Sequence, residues 1–298
     1  MQEQHCGFIG LIGRPNVGKS TLLNQIIGQK ISITAHRPQT TRNRILGIRT
    51  IDDCQMIFID TPGMHSSDKL LNQRIVNYAL QTLQEADLNL LLVEPISHNK
   101  NRLHKEDVEI IKQLGNKVAQ TVVAINKIDS VGPEAVLRTI AIFDKLETFA
   151  AVVPISALKT TNVEHLLETL QGYLPAGTFY FENDQITDAS ERFLVSEFVR
   201  EELFRVLQQE LPYAIAVEVD SFEETPNLVK IHCKIHVERD SQKGIVIGKN
   251  GKVLKQIGSA ARHKIEYLLG RKVFLSLHVN VLKKWSSNPR HLDNLGLS

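Results

Sequence analysis

Cysteine is scarce in this chain. Only Cys6, Cys54 and Cys233 occur among 298 residues, and they form no close pair and no CxxC. This argues against a disulfide framework and suits a reducing compartment. Long apolar runs are also missing. No stretch approaches the ~18 residues needed to cross a bilayer. The N-terminus shows no basic region followed by an apolar core, so neither a membrane span nor a secretory leader is expected. Net charge is nearly absent: 35 Lys and Arg against 33 Asp and Glu leave +2. That total carries no information until it is mapped along the chain. Internal repeats and low-complexity tracts are lacking. The 11 histidines are dispersed. His232 and His236 flank Cys233, but on an alternating strand from 228 to 237 they are expected to line a sheet face, not a metal site.

What is present is an apolar fraction of 42%, ample for packed cores, in a length that suggests about two domains. Residues 13–20 read GRPNVGKS, the form GxxxxGK[ST]. Two glycines let successive N–H groups curl around phosphate oxygens. Lys19 reaches the terminal phosphates and the Ser20 hydroxyl suits Mg²⁺. An apolar strand precedes this loop, and a helix follows whose positive N-terminus faces the anion. Asp60-Thr61-Pro62-Gly63 follows the apolar strand 56–59. Asp60 there can hold Mg²⁺, and Gly63 can offer its N–H to a γ-phosphate. Asn126-Lys127-Ile128-Asp129 follows the strand 121–125. A carboxylate accepts two donors at once, and guanine presents adjacent N1–H and N2–H donors where adenine does not. Asp129 is therefore the expected guanine reader, with Lys127 packing its stem on the base and Asn126 tying loops together. Ser156 and Ala157 add a small-residue loop suited to the guanine oxygen. Between the first helix and the next strand, Gln39-Thr40-Thr41-Arg42-Asn43 supplies a hydroxyl for the Mg²⁺ shell; Thr41 is favoured and Thr40 stays open. Such a segment orders with GTP and relaxes after hydrolysis.

Together the motifs imply a GTP-hydrolysing enzyme that uses GTP/GDP and Mg²⁺. Its nucleotide contacts are Gly13, Arg14, Pro15, Asn16, Val17, Gly18, Lys19, Ser20 and Thr21, then Asp60, Thr61, Pro62 and Gly63, then Asn126, Lys127, Asp129, Ser156 and Ala157. Asn16, Lys19, Thr41 and Gly63 are the catalytic candidates. Ser20, Thr41 and Asp60 are the metal candidates. Strands are expected near 7–12, 44–51, 55–60, 88–93, 119–125 and 151–154, and helices near 19–28, 69–85, 102–114, 133–147 and 162–172. This alternation predicts a mixed, mostly parallel α/β sheet with helices on both faces. Strands 44–51 and 55–60 leave room only for an antiparallel hairpin turned at Asp52-Asp53.

Residues 174–188 have no period and read as a linker, whose aromatic residues Phe179, Tyr180 and Phe181 dock on something. An amphipathic helix then opens a second, α+β domain. Its order is helix, strand, strand, helix, a GxxG turn at Gly248-Lys249-Asn250-Gly251, helix, strand: that of a prokaryotic-type (type 2) KH domain. The glycines of such a turn let an RNA backbone approach closely. From Gly244 onward ten Lys and Arg face Glu266 and Asp293 alone, a bias that fits phosphate contacts. The RNA-facing candidates are Ile247, Gly248, Lys249, Asn250, Gly251, Lys252, Lys255, Lys283, Lys284 and Trp285. For Trp285 two roles stay open, stacking on a base or anchoring the tail. The expected boundaries are 1–173 for the GTPase domain, 174–188 for the linker, 189–282 for the KH domain and 283–298 for a tail.

GRPNVGKS at 13–20, QTTRN at 39–43, DTPG at 60–63, NKID at 126–129, DQITD at 184–188 and VIGKNG at 246–251 make the whole chain resemble the Era family, bacterial Ras-like GTPases with a C-terminal KH domain. The resemblance implies a slow GTPase that binds 16S ribosomal RNA near its 3′ end during 30S subunit assembly in the cytoplasm, and a monomer. It also implies peripheral inner-membrane association in some members, for which no amphipathic anchor is visible here. The alternatives are a membrane-associated regulatory GTPase and an RNA-binding module with only structural nucleotide. Met64 stands where Ras-type enzymes place a water-orienting Gln directly after DxxG. Another group must then complete the site. In related bacterial GTPases an Asn at the position of Asn16 helps hold K⁺ against the phosphates. Arg42 and Arg44 are weaker candidates, being expected to sit in solvent.

Overall fold

The computed structural model describes residues 3–34, 42–60, 84–96, 102–146, 148–208 and 211–295. Gln39, Thr40, Thr41, Thr61, Pro62, Gly63 and Met64 lie outside the described residues, as does the expected helix 69–85 except its last two positions. The chain forms two compact units. Among the described residues the first comprises 3–32, 42–60 and 84–188, and the second 33–34 and 189–295.

The first unit is built on a six-stranded sheet in the order β2-β3-β1-β4-β5-β6. Its strands are β1 (His5–Gly13), β2 (Ile45–Ile51), β3 (Cys54–Asp60), β4 (Leu88–Val93), β5 (Thr121–Ile125) and β6 (Ala151–Pro154). β2 runs antiparallel to β3 through the Asp52-Asp53 hairpin, and all other pairs are parallel. β3, β4 and β5 are buried along their whole lengths. The apolar runs 56–59, 90–93 and 122–125 within them have that cause: a strand covered on both faces has no solvent side on which to alternate. α2 (Lys105–Leu114) and α3 (Pro133–Asp144) pack Ile110, Leu114 and Phe143 onto Ile12, Leu91, Val93, Val123 and Ile125. α1 (Lys19–Ile27) packs where Gly47 leaves room; a Cβ there would lie 2.4 Å from the Leu23 Cδ1. Gly47 points opposite to its neighbours Leu46 and Ile48, so α1 lies on the other face of the sheet from them. α4 (Val163–Gln171) follows β6.

Residues 174–188 are a strap bound to this unit. The buried amide of Gln55 accepts from the N–H of Tyr180 and Phe181 and donates to Phe181 O, at 2.9, 3.0 and 3.0 Å. Phe179 and Phe181 pack against Leu46, Ile48, Ile57 and Ile59. Farther on, Ile48 N–H donates to Ile186 O at 2.9 Å and the Thr187 hydroxyl to Leu46 O at 2.7 Å. The absence of a sequence period reflects irregular backbone held by partners on β2 and β3, not freedom.

The second unit contains α5 (Glu191–Val206), β7 (Ala216–Glu224), β8 (Val229–Val237), α6 (Asp240–Ile247), α7 (Lys252–Leu269), β9 (Val273–Val281) and α8 (Pro289–Asn294). Its sheet order is β7-β8-β9, antiparallel then parallel. β8 alternates cleanly. Val229, Ile231, Cys233, Ile235 and Val237 enter the core, so Cys233 faces away from His232 and His236. His236 meets Glu218 at 2.8 Å, and His232 lies against the Phe274 ring. No group of three metal-binding side chains occurs among the described residues.

α5 departs from the simple amphipathic pattern. Glu197, Arg200, Glu201 and Glu202 are all buried. Glu197 and Arg200 pair along the helix. Glu201 accepts from the Thr34 N–H and hydroxyl at 3.2 and 3.3 Å, and Lys264 of α7 binds both Glu201 and Glu202. Ile33 joins the apolar core beside them. The polar side of the helix is thus roofed by chain, and its charges survive burial because each is paired.

Candidate nucleotide site and KH turn

Every nucleotide motif within the described residues stands at the carboxyl end of a strand of the first sheet, where open α/β folds bind ligands. Gly13 ends β1 with φ +145, and a Cβ on it would lie 2.5 Å from Leu92 O on β4. Gly18 has φ +108, and its Cβ would lie 2.3 Å from Asn126 Nδ2. The two glycines are required by neighbouring atoms as well as by backbone angle. Asn16, between them, also takes a positive φ of 63 and is exposed. Arg14, Pro15 and Val17 complete the turn, and Thr21 sits in the first turn of α1.

Lys19 is buried, and its ammonium donates to Gly13 O at 2.7 Å and Arg14 O at 3.0 Å. Burial pushes its pKa down to about 8, against the opposing pull of Asp60. Asp60 is wholly buried at the end of β3. Its Oδ2 accepts from the Ser20 hydroxyl at 2.9 Å and from the Ser32 hydroxyl at 2.7 Å. Asn24 of α1 sets Ser32, accepting from Ile31 N–H and Ser32 N–H at 2.9 Å each and donating to Ser32 O at 2.7 Å. A buried carboxylate met by two hydroxyls is a hard-oxygen donor set of the kind Mg²⁺ takes. Ser32 was not visible as a site residue in sequence, since nothing local marks it.

Asn126 joins three segments. Its N–H donates to Val93 O at 2.8 Å, its Nδ2 to Val17 O at 2.8 Å, and its Oδ1 accepts from Ala157 N–H at 2.9 Å. Asp129 is exposed, and its Oδ1 accepts from the buried Ser156 hydroxyl at 2.5 Å. Ser156 is fixed in turn by Lys159 N–H at 3.1 Å. Lys127, with φ 66, donates to Asn16 O at 2.7 Å and also binds Glu94. Glu94 and Asp107 stand beside these loops as charged partners that sequence reasoning missed. Arg14 reaches Asp107 at 2.8 Å and Glu94 at 3.2 Å. A signal existed for Glu94: it follows an apolar strand, as Asp60 and Asn126 do. Asp107 lies inside a helix and carries no such mark. Arg42, expected in solvent, is buried, a placement that a guanidinium tolerates only when hydrogen-bonded, whereas Arg44 is exposed.

In the second unit, Ile247 closes α6 and Gly248 turns the chain with φ +71. A Cβ on Gly248 would lie 2.4 Å from Val253 Cγ2. Asn250 and Gly251 follow at φ 55 and 73, and α7 starts at Lys252. Lys249, Asn250, Lys252 and Lys255 are exposed around this turn, as are Lys283 and Lys284 after β9. Two members of the basic bias are spent on internal pairs: Lys264 on Glu201 and Glu202, and Arg271 on Glu224. Trp285 corrects the stacking alternative. It is fully buried and donates from Nε1 to Ala214 O at 3.1 Å, so its rings are not available to a base. An indole fills a core gap whenever its one donor finds a carbonyl there.

Residues 8–127 match the family model of the 50S ribosome-binding GTPase, and residues 210–286 match the KH domain model. The chain is 50% identical over 296 residues to the GTPase Era of Geotalea uraniireducens, covering 99% of this chain and 98% of that one. It is 43% identical over 297 residues to the GTPase Era of Staphylococcus haemolyticus, with 99% and 98% coverage. Among solved structures, an Aquifex aeolicus Era variant bound to GDP and AlF4⁻ superposes with a TM-score of 0.93 at 37% identity, covering 99% and 100% of the two chains. An Era in complex with MgGDPNP and nucleotides 1506–1542 of 16S ribosomal RNA superposes with a TM-score of 0.92 at 37% identity over 99% of each chain. With residues 8–127 and 210–286 matching the two domain models in one chain, and relatives matched end to end, the chain belongs to the Era family of GTPases.

Proposed function

We propose that this GTPase is a switch that binds 16S ribosomal RNA near its 3′ end and acts in 30S subunit assembly in the cytoplasm as a monomer. The observation that carries this reading is the GxxG turn, ringed by exposed Lys249, Lys252 and Lys255, in a chain that also carries a complete guanine-reading loop. Support comes from the Era solved with 16S RNA, which aligns over 99% of this chain. Residues 13–21 cradle the phosphates through backbone N–H groups, and Lys19 neutralises the terminal ones. Asp129 accepts guanine's paired donors while Ser156 holds its carboxylate in place. Ser20, Asp60 and Thr41 would hold Mg²⁺, whose charge stabilises the transferring phosphoryl oxygens when it is bound. Asn16 would help hold K⁺ beside them. No described helix is long and apolar enough to cross a membrane.

The test is binding of a single strand carrying the 16S 3′ end, compared with a scrambled strand, in the GDP and GTP-analogue states. Tighter binding of the 16S strand in the GTP-analogue state, with crosslinks in residues 244–284, is expected. Equal binding of both strands in both states would overturn the reading and favour a membrane-associated regulator.

A further inference from the structure

Four charged side chains form an alternating chain along one rim of the nucleotide site: Asp107, Arg14, Glu94 and Lys127. Arg14 Nε donates to Asp107 Oδ1 at 2.8 Å, and its Nη2 donates to Glu94 Oε2 at 3.2 Å. The other Glu94 oxygen receives the Lys127 ammonium. Lys127 also donates to Asn16 O at 2.7 Å, so its head is gripped from two sides. Three elements meet here. Arg14 and Asn16 are phosphate-loop residues, Lys127 belongs to the base-reading loop, and Glu94 stands one residue past the buried strand β4.

Glu94 touches both loops from outside them, binding Arg14 of the phosphate loop and Lys127 of the base-reading loop. A lysine stem has several rotatable bonds and holds one geometry only if its head is anchored. Asn16 O supplies one anchor, but it lies on an exposed loop residue with a positive φ. Glu94 supplies the charged anchor from the rigid sheet. Its own carboxylate is kept ionised there. Burial raises its pKa, yet Lys127 and Arg14 together outweigh burial and hold it below the ordinary value.

We propose that Glu94 is a positioning residue for nucleotide retention: it fixes the Lys127 stem over the guanine plane and ties the base-reading loop to the phosphate loop. The inference rests on Lys127 packing against the base. It assigns Glu94 no contact with the reacting phosphates, so it acts on dwell time and not on bond cleavage.

The experiment measures release of a fluorescent GDP from the full chain. Glu94→Gln keeps the shape and removes the charge; release should accelerate about tenfold, the scale of losing a charged hydrogen bond. Lys127→Met should also accelerate release. In the Lys127→Met background, adding Glu94→Gln should change release less than twofold, because the residue it acts through is gone. Single-turnover hydrolysis of preloaded GTP by Glu94→Gln should stay within twofold of the parent. Thermal melts of all three variants check that they are folded. An unchanged release rate in folded Glu94→Gln, full additivity of the two substitutions, or a hydrolysis defect as large as the release defect would each overturn the proposal. If Lys127→Met itself leaves release unaltered, the reading of Lys127 fails first and takes the proposal with it.

Discussion

The Asn126 amide nitrogen occupies the space that a side chain on Gly18 would need, 2.3 Å from the Cβ position. From there it donates to Val17 O at 2.8 Å, clamping the phosphate loop to the base-reading loop. Gly18→Ala must therefore displace Asn126 and also strain a backbone at φ +108. We expect the folded state to lose about 1–3 kcal/mol and GTP affinity to fall at least about 100-fold. A melt and a nucleotide titration check both, and near-parent affinity would show that the clamp is dispensable.

Base choice should rest on Asp129. Ser156 fixes one of its carboxylate oxygens at 2.5 Å. Asp129→Asn turns one acceptor into a donor facing guanine's N–H groups. Sites built to hydrogen-bond a polar group reject a mismatch by roughly 10⁴-fold. The variant should lose GTP and gain relative preference for xanthosine nucleotides, whose C2 oxygen accepts the new donor. Competition binding with the two nucleotides decides it.

Lys19 should make nucleotide binding pH-dependent. Its pKa sits at about 8, below the ordinary 10.5, with burial as the main cause. Phosphates favour the charged ammonium and raise that pKa, so binding takes up a proton in this window. GTP affinity should fall as pH rises through about 8. The free protein behaves oppositely. Its unfolded chain binds the extra proton between about 8 and 10.5, so this group's contribution to stability rises with pH there. Calorimetry at pH 8.5 in buffers of different ionisation enthalpy reads the uptake, and zero uptake would refute it.

Hydrolysis should depend on a cation near Asn16. Exchanging K⁺ for Na⁺ should slow turnover while binding stays nearly intact, since added charge matters most in the transition state. Asn16→Ala should erase the difference. Equal turnover in the two salts would point instead to a group supplied by RNA or protein.

RNA binding should track the KH turn and not Trp285. Gly248→Asp brings a negative charge to the phosphate approach and a Cβ that would lie 2.4 Å from Val253 Cγ2, so its melt must accompany its RNA titration. Lys249→Ala is exposed and unstrained, and should reduce the salt slope by roughly 0.7 for a single strand. Trp285→Ala should cost about 3–5 kcal/mol of stability with no specific loss of RNA affinity in the fraction that stays folded. A selective RNA defect there would contradict its burial.

The sequence by itself determined the local devices. The apolar runs 56–59, 90–93 and 122–125 marked β3, β4 and β5 because strands buried on both sides have no wet face. The two-residue gap at Asp52-Asp53 required a hairpin, and the phosphate loop, the Asp129 loop and the GxxG turn were legible because each packs its chemistry into a few adjacent residues. Tertiary structure alone decided what depends on distant partners. Ser32 reaches Asp60 across 28 positions, and Arg14 reaches Asp107 across 93. Trp285 became a core residue because Ala214 O, 71 positions away, satisfies its one donor. Glu201 and Glu202 of α5 are buried where Lys264 binds both and Thr34 donates to Glu201. Short-range chemistry is written in neighbouring letters, whereas burial and pairing belong to whichever segments the fold brings together, and no local pattern encodes them.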